Sequence, residues 1–529
     1  MMLRLTGLGL LAAIAGSAQA AQVRADPVVA VEGGRIAGMM DPAVSAVRSF
    51  RGIPYAAAPV RALRWQAPQP VRAWKDVRPA TAFGARCMQQ PLYDDMMFRS
   101  PAVSEDCLFL NVWTPAAQAD APKRGLPVLV YVHGGGFVAG DGSEKRYDGA
   151  AMAKRGIVVV TLNYRLGVFG FLAHAGLRTG AAGHVSGNQG MRDQAAALLW
   201  VRRNIAAFGG DPDRITVGGE SAGSMSVSAL MASPLSRDAI AGAIGESGAV
   251  MLSLTPAAQV DAERAGAAFA ERLNQPTIAA LRAMPAETLL AAQGRDKTLS
   301  FRPVIDGDFL TEAPTESFAA GRAARVPLLV GSNSQEAPAA AVLGDGPPTV
   351  AQYRRGLQRL TGDRADAVFA LYPARSDAEV TAAATAVASD AFLGLATWKW
   401  FDLHRRTGAA TYYYHYTRVR PRFVTDHSGN PPPQGAVHSA EIEYALDNLT
   451  ANPLYVWTDE DRTVSATMSG YFENFIKTGD PNGRGLPVWS QAPAEGAQIR
   501  RQVIDVETRS VPFVEQARSE AAAPVLSFR

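Results

Sequence analysis

Ser221 stands in the stretch Gly219-Glu220-Ser221-Ala222-Gly223, and its neighbours decide whether its hydroxyl can serve as a nucleophile. The β-branched run Ile215-Thr216-Val217 fits a buried strand, and the residues after Ser221 are small and helix-compatible, so the serine falls where a strand turns sharply into a helix. Such a nucleophile elbow holds its serine in a strained backbone conformation. Glycines are needed two residues to either side, because side chains there would collide as the turn closes. The same spacing also occurs in plain glycine-rich turns, so the surrounding chain must carry the argument. Upstream, His133-Gly134-Gly135-Gly136-Phe137 follows an apolar run. Consecutive glycines at the carboxyl end of a central strand leave backbone N–H groups unshielded, as a site for a developing oxyanion requires. The chemistry within reach of these residues is acyl transfer. It needs two more groups: an imidazole to take the serine proton, and a carboxylate to fix the imidazole's tautomer and stabilise its charged form.

The elements around these motifs must bring them together. Leu126 to Val132 is a continuous apolar run typical of a central strand covered on both faces, and Gly156 to Leu162 is another. Met191 to Phe208 repeats apolar residues at helical spacing, with Leu198, Leu199, Val201 and Ile205 as its buried stripe, and the elbow strand follows directly. Strand, helix, strand, helix in this order predicts an α/β fold with a doubly wound, mostly parallel sheet, which binds ligands outside the carboxyl ends of its strands. Ser221 and the glycine run both lie at such ends. Ala239 to Ile244 reads as the next strand, leading into Gly245-Glu246-Ser247-Gly248. That segment resembles a second elbow without the right spacing, so Ser247, like Glu220, is read as a supporting residue. Pro256 to about Thr298 and Thr349 to Arg406 are alanine-rich and helical, as cap elements over the sheet would be. Between them Val326 to Val330 is a short buried strand running into Gly331-Ser332-Asn333-Ser334-Gln335-Glu336. Ala410 to Val419 is the last strong strand, with His438 on the loop beyond it. Val28 to Trp74 reads as short strands and turns without chemistry. No repeat or low-complexity linker divides the chain, so residues 21–529 are expected to form a single domain.

In α/β-hydrolases the catalytic order is serine, acid, histidine. Of the seven histidines, His404, His415, His427 and His438 follow a plausible acid. His404 falls in a helical pattern, His415 inside an aromatic strand and His427 in a proline-rich approach; His438 alone stands on a loop past a strand. Among the acids, Glu336 ends a loop after a buried strand, whereas Asp306 sits in an Asp-Gly turn and Asp390 in a helix-rich stretch. Glu336 is the expected partner of His438.

Composition bounds the rest. With 52 basic against 49 acidic residues and no dense Lys/Arg run, a nucleic-acid partner is excluded as an expectation. Met1 to Ala20 carries one charge at Arg4, an apolar run, and Ala18-Gln19-Ala20 ahead of Ala21, the pattern of a secretory leader with its cleavage site. A membrane anchor would need about 20 apolar residues without the Gly and Thr found here, so export to the periplasm or the medium is expected. The two cysteines, Cys87 and Cys107, fit an exported protein if they pair, two buried free thiols being the alternative. Neither has a second cysteine or a histidine at ligand spacing, so no metal site is expected.

At this point the sequence resembles the type B carboxylesterase, or cholinesterase-like, branch of the α/β-hydrolases. The matching pieces are Phe50 to Ala56, Ser104 to Pro115, His133 to Phe137, Gly219 to Gly223, Pro303 to Leu310, Gly435 to Glu441 and Asn474 to Asn482. The resemblance implies an α/β-hydrolase fold with helical cap insertions forming a gorge down to Ser221. It implies a triad of Ser221, Glu336 and His438, an oxyanion hole from the N–H groups of Gly135, Gly136 and Ala222, and a Cys87 to Cys107 disulfide. It further implies hydrolysis of small-molecule esters through an acyl-enzyme with no cofactor. Amide hydrolysis on the same groups and a non-catalytic binding relative are the alternatives. Two departures stand out. Gln335 and Ala337 flank Glu336 where the family has aspartate and glycine, and no tryptophan lies between Cys87 and Cys107 to hold a choline group, so a choline ester is not expected. Where the cholinesterase pattern has bulky phenylalanines before Pro303, this chain has Lys297 and Leu299. A roomier acyl side is expected there, with Lys297 or Arg302 either pairing a substrate carboxylate or pointing to solvent.

Overall fold

The computed structural model describes residues 27–116, 124–178, 186–295, 300–425, 433–496 and 498–526. The leader at 1–20, His427, Lys297 and Leu299 lie outside the described residues. Among those described, one large sheet runs in the order Arg509–Pro512, Arg500–Ile504, Thr411–Tyr416, Leu328–Asn333, Gly242–Glu246, Gly210–Glu220, Leu126–Val132, Val158–Leu162, Phe109–Pro115, Val47–Pro54, Met39–Met40. From Val158–Leu162 across to Arg500–Ile504 the strands are parallel, and antiparallel strands close both edges.

The sheet is covered on both faces, and the strand period of two assigns each residue to one of them. Along Leu126–Val132, Val128, Val130 and Val132 join a core with Leu198 and Val201 of the helix Gln189–Asn204. Leu129 and Tyr131 point the other way, into a core with Tyr471 and Phe475 of the helix Asp459–Thr478. Each such fully buried side chain contributes about 1.5–3 kcal/mol relative to exposure, which is why this strand reads as unbroken apolar sequence. A third cluster packs the helices Val350–Thr361, Ala365–Leu371 and Asp377–Ser389 against the C-terminal helix Gln516–Ala522.

Register places the site. Gly219 pairs with Val132, Glu220 with Glu246, and Glu246 with Gly331, so the carboxyl ends of four neighbouring strands finish side by side. The strand expected at Ala239 to Ile244 is displaced to Gly242–Glu246, because Arg237–Ala239 forms a 3-10 turn and the parallel partners set where pairing begins. The strand expected at Val326 to Val330 likewise runs Leu328–Asn333. Thr411–Tyr416 is not the last strand of the sheet: Arg500–Ile504 and Arg509–Pro512 follow it, with too many arginines to read as strands from their pattern. The segment 377–405 is helical throughout but passes through a π turn at Asp390–Gly394. It is long and apolar enough to cross a membrane, yet 56% of its apolar window is buried in the protein. Cys87 and Cys107 are joined in a disulfide and both are buried. Beside them Arg64 grips Glu105 through two bonds of 2.6 Å, the fork geometry that suits a guanidinium and a carboxylate.

Candidate active site

Ser221 takes φ 56° and ψ −121°, a conformation unfavourable for any residue with a Cβ. The surrounding main chain imposes it: the Ser221 N–H donates to Glu246 O at 2.8 Å, and its carbonyl receives Met225 N–H at 2.9 Å. The glycines leave no room for alternatives. A Cβ on Gly219 would sit 2.6 Å from Val132 O, and one on Gly223 would sit 2.1 Å from the same oxygen. The helix Ala222–Ala232 therefore starts in direct contact with the central strand.

His438 Nε2 lies 3.0 Å from Ser221 Oγ, and its Nδ1 lies 2.8 Å from Glu336 Oε2. Nδ1 donates to the Glu336 oxygen, and in the neutral imidazole Nε2 is then the nitrogen that accepts from the serine. Glu336 is 4% exposed, and its other oxygen accepts the Asn333 N–H at 2.6 Å. The acid loop and the histidine loop are stitched together. Gln335 N–H donates to Ala436 O at 2.9 Å, Gly435 N–H to Gln335 Oε1 at 3.0 Å, and Asn333 Nδ2 to Val437 O at 2.9 Å. Gln335, one of the departures from the family pattern, thus holds the two loops in register. The other acids stay away from the imidazole: Asp306 Oδ1 receives Leu310 N–H at 2.9 Å in its turn, and Asp390 Oδ2 receives the Tyr372 hydroxyl at 2.7 Å. His404 bonds Val326 O at 2.8 Å, inside the fold.

The glycine loop passes over the elbow. Gly135 and Gly136 have φ +100° and +63°, and a Cβ on Gly134 would come 3.2 Å from Ser221 Cβ. Their N–H groups, and that of Ala222 at the helix start, have no backbone acceptor among the described residues. His133 anchors the loop from below, stacked on Tyr164 with centroids 4.4 Å apart and bonded to Gly134 O at 2.8 Å; burial lowers its pKa to about 4, so it stays neutral. Above the site, Phe392 packs edge-on to the His438 ring at 5.4 Å, and Ser221 is only 8% exposed.

Glu220 adds a second carboxylate, Oε1 lying 3.2 Å from His438 Nε2. Burial pulls the imidazole pKa down, but Glu220 and Glu336 outweigh it and push it up to about 9. Glu220 itself is raised to about 8, first by burial. Ser247, at φ 56°, donates to Glu441 Oε1 at 3.3 Å, and Glu441 Oε2 receives Asn333 Nδ2 at 2.5 Å. Glu441 is a group that reading for nucleophile, base and acid passes over; its signal is its place three residues after His438, at the end of the matching piece Gly435 to Glu441. Arg146 is another: buried against Glu144, it reaches Asp95 of the disulfide loop at 3.0 Å and Ser439 Oγ at 3.4 Å. Arg302 is exposed. Among the described residues no group of three His, Cys, Asp or Glu is placed to hold a metal ion.

The comparisons with known proteins agree in one direction. The profile of the carboxylesterase family matches residues 25–521. The fumonisin B1 esterase of Sphingopyxis macrogoltabida is 36% identical over 85% of this chain and 82% of its own. The para-nitrobenzyl esterase of Bacillus subtilis is also 36% identical, over 86% of this chain and 90% of its own. A carboxylesterase structure from Geobacillus stearothermophilus superposes with a TM-score of 0.79 at 32% identity, covering 93% of this chain and 99% of that one. The chain belongs to the carboxylesterase family and is a carboxylic ester hydrolase of the α/β-hydrolase fold.

Proposed function

We propose that ester cleavage proceeds through an acyl-enzyme on Ser221. The reading rests on one observation above all, the unbroken line from Glu336 through His438 to Ser221 at 2.8 and 3.0 Å. Ser221 Oγ attacks the ester carbonyl carbon as its proton passes to His438 Nε2. The carbonyl oxygen becomes an oxyanion held by the N–H groups of Gly135, Gly136 and Ala222. Each such donor is worth roughly 3 kcal/mol of barrier. Glu336 stabilises the imidazolium, and collapse of the intermediate expels the alcohol, which takes the proton back from His438. Water then attacks the acyl-serine with His438 again as base, releasing the carboxylic acid and restoring Ser221. Glu220 and Ser247 support the site by charge and by holding Glu441.

The substrate is a small-molecule ester without a choline group, and the protein is exported. The secretory pattern at 1–20 and the disulfide support the second statement. Labelling with a reactive organophosphate tests the mechanism: one equivalent is expected on Ser221 by peptide mass, and none on Ser221→Ala. Absence of labelling in the wild-type protein would favour a binding role without acyl transfer and overturn the reading.

A further inference from the structure

The main chain of His438 is fixed on both sides. Before it, the Val437 carbonyl accepts Asn333 Nδ2–H at 2.9 Å and Ala440 N–H at 3.1 Å. After it, Ser439 takes φ 61°, the left-handed region that a residue with a Cβ keeps only where its surroundings hold it there. No glycine supplies this turn, so neighbouring side chains must. Two arginines converge on the serine: Arg420 Nη2 donates to its carbonyl at 2.6 Å, and Arg146 Nη1 reaches its hydroxyl at 3.4 Å. Their side chains are only 6% and 2% exposed, and a buried guanidinium persists only where each of its directions finds an acceptor.

Neither guanidinium is free to swing away. Arg420 Nη2 also donates to Glu443 Oε2 at 2.7 Å and its Nη1 to the Tyr455 hydroxyl at 2.8 Å, while Asn452 Nδ2 holds the other Glu443 oxygen at 2.6 Å. Tyr455 is itself stacked on Phe423, with centroids 4.6 Å apart. A planar fork fixes several acceptors at once, which a lysine, a single charge on a flexible stem, does not reproduce. Arg146 arrives from the turn Lys145–Tyr147 that follows the glycine loop. It is buried against Glu144, bonds Asp95 of the disulfide loop at 3.0 Å, and its carbonyl accepts Asn448 Nδ2–H at 2.9 Å. The segment that carries the oxyanion donors and the loop that carries the imidazole therefore meet on one side chain.

We infer that Arg420 and Arg146 are positioning residues for the reaction, holding Ser439 in its left-handed turn so that the His438 imidazole stays on the line to Ser221. The inference rests on His438 being the base of the acyl-enzyme reading. Both arginines act through Ser439 rather than on the reacting atoms, and Arg420, with the shorter bond and a main-chain acceptor, is the stronger arm. Arg418 is the contrast. Two residues earlier, it pairs with the buried Asp461 at 2.7 Å and bonds Glu460 at 2.8 Å and Thr458 at 3.3 Å, none of them on the histidine loop.

Steady-state kinetics of the full-length chain on a chromogenic aryl ester test this, with rates divided by the fraction of Ser221 that an organophosphate titrates. Arg420→Lys should lower kcat by about tenfold or more with KM within about twofold, and Arg146→Lys should lower kcat by about threefold or more. Arg418→Lys should keep kcat within about twofold, whatever it does to the urea midpoint. On the Ser439→Gly background, where glycine enters the turn unaided, Arg420→Lys should cost less than about threefold. Arg420→Gln combined with Glu443→Gln, which leaves no buried carboxylate unpaired, repeats the measurement if Arg420→Lys does not fold. The inference is overturned if these Arg420 variants keep the wild-type kcat, if the loss is as large on the glycine background, or if Arg418→Lys loses as much. An untitratable Ser221 in the wild-type protein, or full turnover by His438→Ala, would instead overturn the mechanism on which it rests.

Discussion

Replacing Gly223 by alanine adds one methyl group and should disable the elbow. The new Cβ would stand 2.1 Å from Val132 O and 3.0 Å from Val132 C, whereas carbon and oxygen normally settle no closer than about 3.3 Å. A relief of more than about 1 Å is needed. Val132 cannot supply it, because it belongs to a central strand paired with Gly219 on one side and Leu162 on the other. The helix Ala222–Ala232 must retreat instead, carrying Ala222 N–H away from the glycine loop and turning Ser221 off the His438 line. Overpacking of this kind costs about 1–3 kcal/mol of stability, and a displacement of about 1 Å at the reacting groups costs on the order of 100-fold in rate, or ~2.7 kcal/mol. Gly218→Ala is the matched control: five residues earlier, on the strand that leads into the elbow, its Cβ would meet Leu129, Tyr131 and Ile244 at 3.3, 3.5 and 3.6 Å, close to ordinary contact. Urea midpoints and kcat/KM on a chromogenic aryl ester measure both quantities. Native activity and a native midpoint in Gly223→Ala, or equal damage in Gly218→Ala, would refute the reasoning.

Other outcomes follow from the same geometry. Glu336→Gln should lower kcat by roughly 10³ to 10⁴ with the fold intact, while Asp390→Asn keeps near-normal turnover; circular dichroism and steady-state kinetics check both, and the reverse pattern would reassign the acid. His438 must be neutral to act as a base, so with its pKa pushed up to about 9 the rate should climb with pH towards that value, and Glu220→Gln should move the acid limb of kcat/KM to lower pH. The stability counterpart has a definite sign: the folded pKa values of His438 and Glu220, about 9 and about 8, exceed their ordinary values of 6.5 and 4.5. Both groups bind protons more tightly in the folded protein, so their contribution is complete below the unfolded pKa and is lost as pH rises through about 8 to 9, which urea titrations across pH 6 to 9.5 would detect. Replacing both Cys87 and Cys107 by serine should cost about 3 kcal/mol in thermal or urea unfolding, given the sequence separation of 20.

Much of the scaffold is legible where burial and periodicity coincide. Leu126–Val132 reads directly, because covering on both faces demands apolar residues at every position. The elbow reads because its glycines are sterically obligatory. Ser221, Glu336 and His438 are found from chain order and from the loops that carry them, though their mutual distances are a property of the folded sheet alone. Arg500–Ile504 escapes notice because Gln502 and Ile504 are buried while Arg500 and Arg501 are not, so its apolar signal shrinks to a single residue or two. The buried carboxylates Glu144, Glu246 and Glu441 look like surface residues in sequence. Only tertiary placement shows that they lie beneath the site, held by Arg146, Tyr131 and Asn333.

The π turn at Asp390–Gly394 sets the rotational phase of everything after it. An α-helix advances about 100° per residue, so one residue more or less in that turn would rotate the segment Leu395–Arg405 by more than a quarter of a revolution. Trp400 would then leave the Phe318 ring it meets at 6.3 Å, and Phe401 would leave the Tyr413 ring on which it stacks at 4.5 Å. Phe392, inside the turn, packs on the His438 ring, whereas Trp398, one helical turn past its end, lines a cavity together with Glu336. A single extra residue in the helix therefore acts as a spacer between the ring that covers His438 and the rings that pack the following segment onto the sheet.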